Sequence, residues 1–337
     1  MKMVKWKDQK RTISLIIALL ILLCTYPLES ISIADKPSSD LLIVYPHHNI
    51  QEIIDSAQPN TTIIFQKGTF TQSFHVSKPL TLIGSSPDTT RFSIETKPNN
   101  PAITISSPFV TLSNLTITNT ANGLYTTGLR IDSKLVHISN CIFNNTPIGV
   151  AIWNDYTFIS NCTFSNCSDE GILIITTSIS TSHSNIIKNS CFFNNCDGIE
   201  LQHSSNNKII NCTFFNNTHA GIDAICDNNN NNEISSCTFQ SNNAYDIYFA
   251  SSKHNQITQC TFENKSKSVV FTPSFSTNSI DETIDIQSIE QAQKPPNSID
   301  NQRVIQNENL IQLILSKSIS FIKEFIEDIL SWFIQKI

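Results

Sequence analysis

Between residues 112 and 262 the chain repeats one short pattern of apolar and polar positions, an Ile followed by two polar residues, then Cys, one further residue and Phe. Six segments align: Ile138-Ser-Asn-Cys141-Ile-Phe143, Ile159-Ser-Asn-Cys162-Thr-Phe164, Ser190-Cys191-Phe-Phe193, Ile209-Ile-Asn-Cys212-Thr-Phe214, Ile234-Ser-Ser-Cys237-Thr-Phe239 and Ile257-Thr-Gln-Cys260-Thr-Phe262. Their cysteines are spaced by 21, 29, 21, 25 and 23 residues. The third copy departs from the others, with Lys188 where the leading Ile is expected, and an earlier copy, Leu112-Ser-Asn-Leu115-Thr-Ile117, carries Leu in the cysteine place. That place therefore asks for a compact apolar side chain and not for sulfur chemistry.

Each unit holds a second short run: Gly128-Leu-Arg-Ile131, Gly149-Val-Ala-Ile152, Gly171-Ile-Leu-Ile174, Gly198-Ile-Glu-Leu201, Gly221-Ile-Asp-Ala224 and Asp246-Ile-Tyr-Phe249. Apolar residues two apart face one way along a strand, so Ile199 and Leu201 point inward together with Cys212 and Phe214. A helical period of 3.6 is absent from the repeats. Units this short cannot bury their apolar faces alone, and stacking them as coils solves the problem. The expectation is an all-β parallel β-helix solenoid of about ten coils, with like residues in ladders ~4.8 Å apart and the pairs Asn144-Asn145, Asn194-Asn195 and Asn216-Asn217 at turns. Ahead of the repeats, His48 to Ala57 offers Asn49 as an N-cap, Glu52 three residues later and Ile50, Ile53, Ile54 and Ala57 on one face, which predicts a capping helix over the first coil.

The stretch Ile50-Gln-Glu-Ile-Ile-Asp-Ser-Ala57, then Gly68-Thr-Phe70, Lys78-Pro-Leu-Thr-Leu-Ile-Gly84, Asn114-Leu-Thr-Ile-Thr-Asn119 and the Asn-Cys-Thr-Phe repeats resemble the NosD-like and pectate-lyase-like β-helix proteins. The resemblance covers about residues 40 to 270 and implies a right-handed parallel β-helix. It also implies a carbohydrate-active or a copper-handling role as candidate functions. The Gly-His-Gly and Arg-x-Lys motifs of β-helix polygalacturonases are missing, so that activity does not transfer with the fold.

The ends read differently. Five basic residues before Ile13, an apolar run to Leu23, then Pro27 and Ser32-Ile33-Ala34 predict a signal peptide over residues 1–34, or an N-terminal anchor, and an exported, secreted or cell-surface body. The β-helix domain is placed at residues 35–272 and a flexible linker at 273–308. An amphipathic helix is predicted at 309–337, which suits a membrane surface, a partner, self-association or packing back on the solenoid. Without residues 1–34 the chain keeps 17 basic against 26 acidic residues, and no Lys/Arg cluster marks it for nucleic acid.

Ten cysteines in an exported chain suggest disulfides, yet stacked Cβ atoms ~4.8 Å apart exceed the span of about 3.5 to 4.5 Å that a disulfide needs. Cys141, Cys162, Cys191, Cys212, Cys237 and Cys260 are thus expected as buried free thiols in a core ladder beside Phe143, Phe164, Phe193, Phe214, Phe239 and Phe262, with Cys167 and Cys196 as a shorter one. The outward positions of the second runs are not needed for the core. They read Arg130, Ala151, Leu173, Glu200, Asp223 and Tyr248, with Glu170 and Asp197 just before the glycines. Four stacked carboxylates, Glu170, Asp197, Glu200 and Asp223, are candidate catalytic residues of a polysaccharide hydrolase or lyase, could hold Ca²⁺, or simply solvate an exposed sheet face. Trp153, Tyr156, Asp227 and Arg130 are candidate contacts for a glycan or surface-protein partner, and His183, His203 and His254 are candidate copper or zinc ligands. Three functions stay open: a non-catalytic surface module, a carbohydrate-active enzyme, and a NosD-like periplasmic copper accessory.

Overall fold

A computed structural model describes residues 40–176, 184–263, 269–272 and 278–280. The expected signal segment 1–34, the tail helix 309–337, most of the linker and His183 lie outside the described residues. The chain divides into two units, residues 1–286 and 287–337, and the described residues all belong to the first.

The first unit is an all-β parallel solenoid of about ten coils with one short helix. Its three sheets run the length of the stack. Sheet A has 11 strands, from Leu41–Val44 to Ser279–Ile280; sheet B has 9, from Gly68–Phe70 to Thr261–Phe262; sheet C has 9, from Phe74–Val76 to Val269–Thr272. Every neighbouring pair is parallel and one coil apart, as in the rung that joins Ile138, Ile159, Ile187 and Ile209. Sheet A ends on Ser279–Ile280, inside the stretch expected to be linker. Asn278 continues the asparagine column described below, Val269–Thr272 pairs in sheet C and Ile280 pairs with Ile257, so the stacking pattern outlasts the Cys-x-Phe signature by two strands.

The corner between sheets A and B is made by the residue before each cysteine-rung position. Asn140, Asn161, Asn189 and Asn211 all have φ between 51° and 53°, the left-handed region that Asn enters more readily than most residues. A single such residue breaks the strand alternation, so that Ile138, Cys141 and Phe143 all turn inward although their spacing is three and then two. The phenylalanines then stack as Phe143, Phe164, Phe192, Phe214, Phe239 and Phe262, ring centroids 4.8 to 5.2 Å apart and nearly parallel. Sheet C leaves room for them by omitting side chains. A Cβ on Gly171 would lie 2.6 Å from the carbonyl oxygen of Gly198 and 2.9 Å from the Phe192 ring, which explains the glycine at the head of the first five second runs.

The third repeat departs from the sequence expectation by one residue. Phe192, not Phe193, fills the interior, and Ser190, not Cys191, takes the cysteine rung, its hydroxyl accepting from Cys162 N at 3.1 Å. The cause is Asn189, which takes the left-handed corner and thereby makes Ile187 the leading apolar residue. Cys191 moves to the outer face between Thr163 and Thr213, and Phe193 stacks outside on Phe215 at 4.8 Å. Cys141, Cys162, Cys212, Cys237 and Cys260 are buried free thiols, Cys196 is half-buried beside buried Cys167, and burial pushes the Cys167 thiol up to about 12.

A column of buried asparagines seals the corner between sheets C and A. The Oδ1 atoms of Asn207, Asn232, Asn255 and Asn278 each accept from the backbone N and the Nδ2 of the asparagine one coil before, at 2.8 to 3.1 Å. A shorter column, Asn195, Asn217 and Asn242, does the same after sheet B. Buried donors without partners cost about 1–3 kcal/mol each. Asn207→Ala strands both donors of Asn185, so it should lower stability by about 2 kcal/mol or more, measured by denaturant unfolding; a loss below about 0.5 kcal/mol would show that the column is not holding the coils.

The helix, α1 (Ile50–Ser56), starts where the sequence places it, with Asn49 Oδ1 accepting from Glu52 N. Ile50 and Ile54 enter the core, and Gln51 holds the first strand of sheet C through His75 N and O.

Candidate functional site

Register in sheet C decides which polar side chains meet. Glu200 is paired with Asp223 and Glu170 with Asp197, one coil apart in each case. The backbone thus brings all four predicted carboxylates onto three adjacent coils. They do not form an exposed face: Glu170 is 4% exposed, Asp197 5%, Glu200 8% and Asp223 4%. The neighbouring outward residues explain part of this. Ala151 and Leu173 form a small apolar cluster with Ile148, backed by Trp153 and Ile175, while Gln202 Nε2 donates to Glu200 and an imidazole lies against the other two acids.

That imidazole belongs to His219, which sequence reasoning did not single out. It sits in the turn before the strand Ala220–Ala224, outside any strand periodicity. Its Nδ1 is 2.9 Å from Asp197 Oδ1 and 3.6 Å from Asp223 Oδ2, and Asp197 Oδ1 also accepts from Ala220 N at 2.8 Å. One donor atom from each of Asp197, His219 and Asp223 lies within 4.8 Å of the others. Tyr245, which follows Glu170, Asp197 and Ala220 in the same rung position, meets the His219 ring edge-on at 5.9 Å and stacks on Tyr248 at 5.1 Å. Reading that rung coil by coil would have found Tyr245 from sequence.

Crowding carboxylates out of water shifts their protons. Burial, together with the hydrogen-bonded and charged Glu200 and the nearby Asp169, pushes Glu170 up to about 11, so it is a neutral acid at pH 7. Burial and then the charge of Asp197 push Asp223 up to about 7, against the opposing pull of His219. Asp197 is raised by burial and held back by His219. Two buried oxygens of the cluster, Glu170 Oε2 and Asp223 Oδ1, have no hydrogen-bond partner.

The remaining candidates fall elsewhere. Arg130 lies 5.0 Å over the Trp153 ring and pairs with Asp132 at 2.7 Å, while Tyr156 is exposed on the loop after the same strand as Trp153. His203 binds Asp227 at 3.0 Å. His254 occupies the turn place of Asn206 and Asn231, three residues and two coils from His203, so the fold does not bring these two histidines together. Among the described residues the one metal-competent group is Asp197, His219 and Asp223. No described helix is long and apolar enough to cross a membrane.

Residues 101–262 match the family model described as a right handed beta helix region. Among solved structures, the chain is similar to a mannuronic acid specific polysaccharide family 6 lyase from human gut microbiota, at 12% identity and a TM-score of 0.52, over 66% of this chain and 59% of that one. It is similar to tailspike protein 2 of the Escherichia coli O157:H7 bacteriophage CAB120, at 13% identity and a TM-score of 0.54, over 72% of this chain and 38% of that one. ORF18 of Geobacillus virus E2 matches at 15% identity and a TM-score of 0.52, over 70% and 59% of the two chains. At these identities the likeness is one of fold, and the chain spans well under two thirds of each of these structures. No curated protein matches the sequence.

Proposed function

We propose, from the premise that residues 101–262 form a right-handed β-helix region, that this is an exported carbohydrate-active protein that works on a glycan at the outer face of sheet C. The observation that carries the reading is the buried acid cluster beside the stacked Tyr245 and Tyr248 rings. Folding alone gives no reason to hold four carboxylates under 10% exposure at positions the core does not use, and strongly shifted acids cluster at functional sites. Aromatic faces beside carboxylates supply the two contacts a sugar needs, an apolar platform and hydrogen-bond acceptors. In this reading Glu200 and Asp223, one strand spacing of ~4.8 Å apart, form the pair of carboxylates, close to the ~5 Å separation of retaining glycosidases. The described basic side chains Arg130 and Lys208 pair elsewhere, with Asp132 and Glu233, so the acidic face favours a neutral glycan over a polyuronate.

The test is a panel of neutral and acidic polysaccharides offered to the purified full chain, with reducing ends and unsaturated products both measured. Cleavage by the parent and a loss of at least about 100-fold in Glu200→Gln/Asp223→Asn is the expected result. A second reading, glycan binding without cleavage, is favoured by the same low exposure of the acids, and would show as retention on a glycan column with no products. Neither cleavage nor retention on any glycan removes the carbohydrate reading altogether.

A further inference from the structure

We infer that Asp197, His219 and Asp223 form a binding site for one divalent transition-metal ion of the Zn²⁺ or Mn²⁺ kind. The residues come from two adjacent coils and converge from different directions: Asp197 from the start of one strand, His219 from the turn before the next, and Asp223 from that strand's outward face. Their donor atoms already lie within 4.8 Å of one another, the separation that ligands at about 2.0–2.2 Å from a shared ion require after a small closure.

Geometry of this kind is common among acidic residues without an ion, and a second observation points to a missing ligand. Asp223 is 4% exposed, and its Oδ1 has no hydrogen-bond partner. Two coils away, Glu170 is equally buried and its Oε2 is likewise unpartnered. Buried carboxylate oxygens are rarely left so, because each has lost its water and gained nothing in return. A cation at this corner would give Asp223 Oδ1 the partner the protein does not supply.

The donor set selects the ion. Calcium and magnesium take oxygen ligands in numbers this site does not offer, and an imidazole nitrogen suits them poorly. Copper(I) and iron–sulfur clusters want thiolates, and the three side chains that converge here include none. One imidazole and two carboxylates match zinc or manganese, with the outer positions left for water or a sugar hydroxyl. The 2.9 Å contact between His219 Nδ1 and Asp197 Oδ1 holds a proton between them, and an ion would take that place as the neutral imidazole carries its proton on Nε2 instead. His219 is 41% exposed on its side chain, so the corner is open to solvent along the ring that Tyr245 borders.

The inference rests on the glycan reading for its purpose and is tested without a glycan. The full chain, stripped with a chelator, is titrated with Zn²⁺, Mn²⁺ and Ca²⁺ separately by calorimetry. One equivalent of Zn²⁺ or Mn²⁺ is expected to bind, with Ca²⁺ at least 10-fold weaker. His219→Ala and Asp223→Asn should each lower the affinity at least 10-fold, while circular dichroism and the melting curve show the chelated variants to be folded. His203→Ala should bind as the parent does. Saturable binding that survives His219→Ala, tighter Ca²⁺ than Zn²⁺ and Mn²⁺, or no binding at all would overturn the site. Metal binding by a chain that ignores every glycan would leave the site standing and remove the carbohydrate reading; cleavage unaffected by the chelator, with no metal bound, would do the reverse.

Discussion

Replacing Glu170 by glutamine should stabilise the protein by about 3 kcal/mol at pH 7 and leave its stability at pH 4 nearly unchanged. In the unfolded chain this carboxyl titrates near its ordinary value of 4.5, whereas in the folded chain burial and Glu200 hold its proton up to about 11. Below 4.5 both states carry the proton, and the group is indifferent to folding. As pH rises above 4.5 the unfolded state releases the proton and the folded state does not, so stability falls by 1.36 kcal/mol per pH unit until the folded group also ionises. At pH 7 the folded group still holds its proton, so the accumulated loss is set by the distance from 4.5. Glutamine carries no proton to lose, and its Nε2 can donate to the Glu200 carboxylate as the protonated acid does. Denaturant unfolding at pH 4 and pH 7 with a chelator present measures the difference. An equal effect at both pH values, or a loss of stability at pH 7, would mean that Glu170 is ionised in the folded protein.

Phe192→Ala should cost about 3–5 kcal/mol, and Phe193→Ala about 1 kcal/mol or less. The first ring is wholly buried between Phe164 and Phe214, at 4.8 Å from each, and its removal opens a cavity in the middle of the stack. The second lies on the outer face of sheet B, stacked on Phe215 and outside the interior column. Unfolding of the two variants side by side checks the register: if Phe193→Ala proves the more damaging, the third repeat is threaded one residue away from the arrangement described.

That pair of residues also shows where sequence reading stops. The repeats were legible because Ile, Cys and Phe recur at fixed offsets, and the stacking of Glu200 on Asp223 follows from aligning the second runs. In Ser190-Cys191-Phe192-Phe193 the composition allows two registers, and matching cysteine to cysteine chose the wrong one. The corner asparagines carried the better signal, since Asn189 aligns with Asn161 and Asn211 and restores Ile187 to the leading place. The carboxylate cluster was legible as a set of neighbours, while its burial was not, because exposure on an outward face depends on what lies over it and no strand pattern records that. His219 was invisible for a related reason: a turn residue has no period, and its role comes from the coil before it, through Asp197.

The corner residues have a bearing on how such a chain can change over generations. From one corner to the next, Asn161 to Asn189, Asn211, Ser236 and Gln259, the contour length varies by several residues, yet every coil re-enters the same rungs. Each corner resets the phase of the chain, so an insertion between two corners is expelled as a loop and is forgotten by the next coil. Natural variation can therefore rewrite the turns, including the one that carries His219, a single coil at a time, without renegotiating the packing of any other.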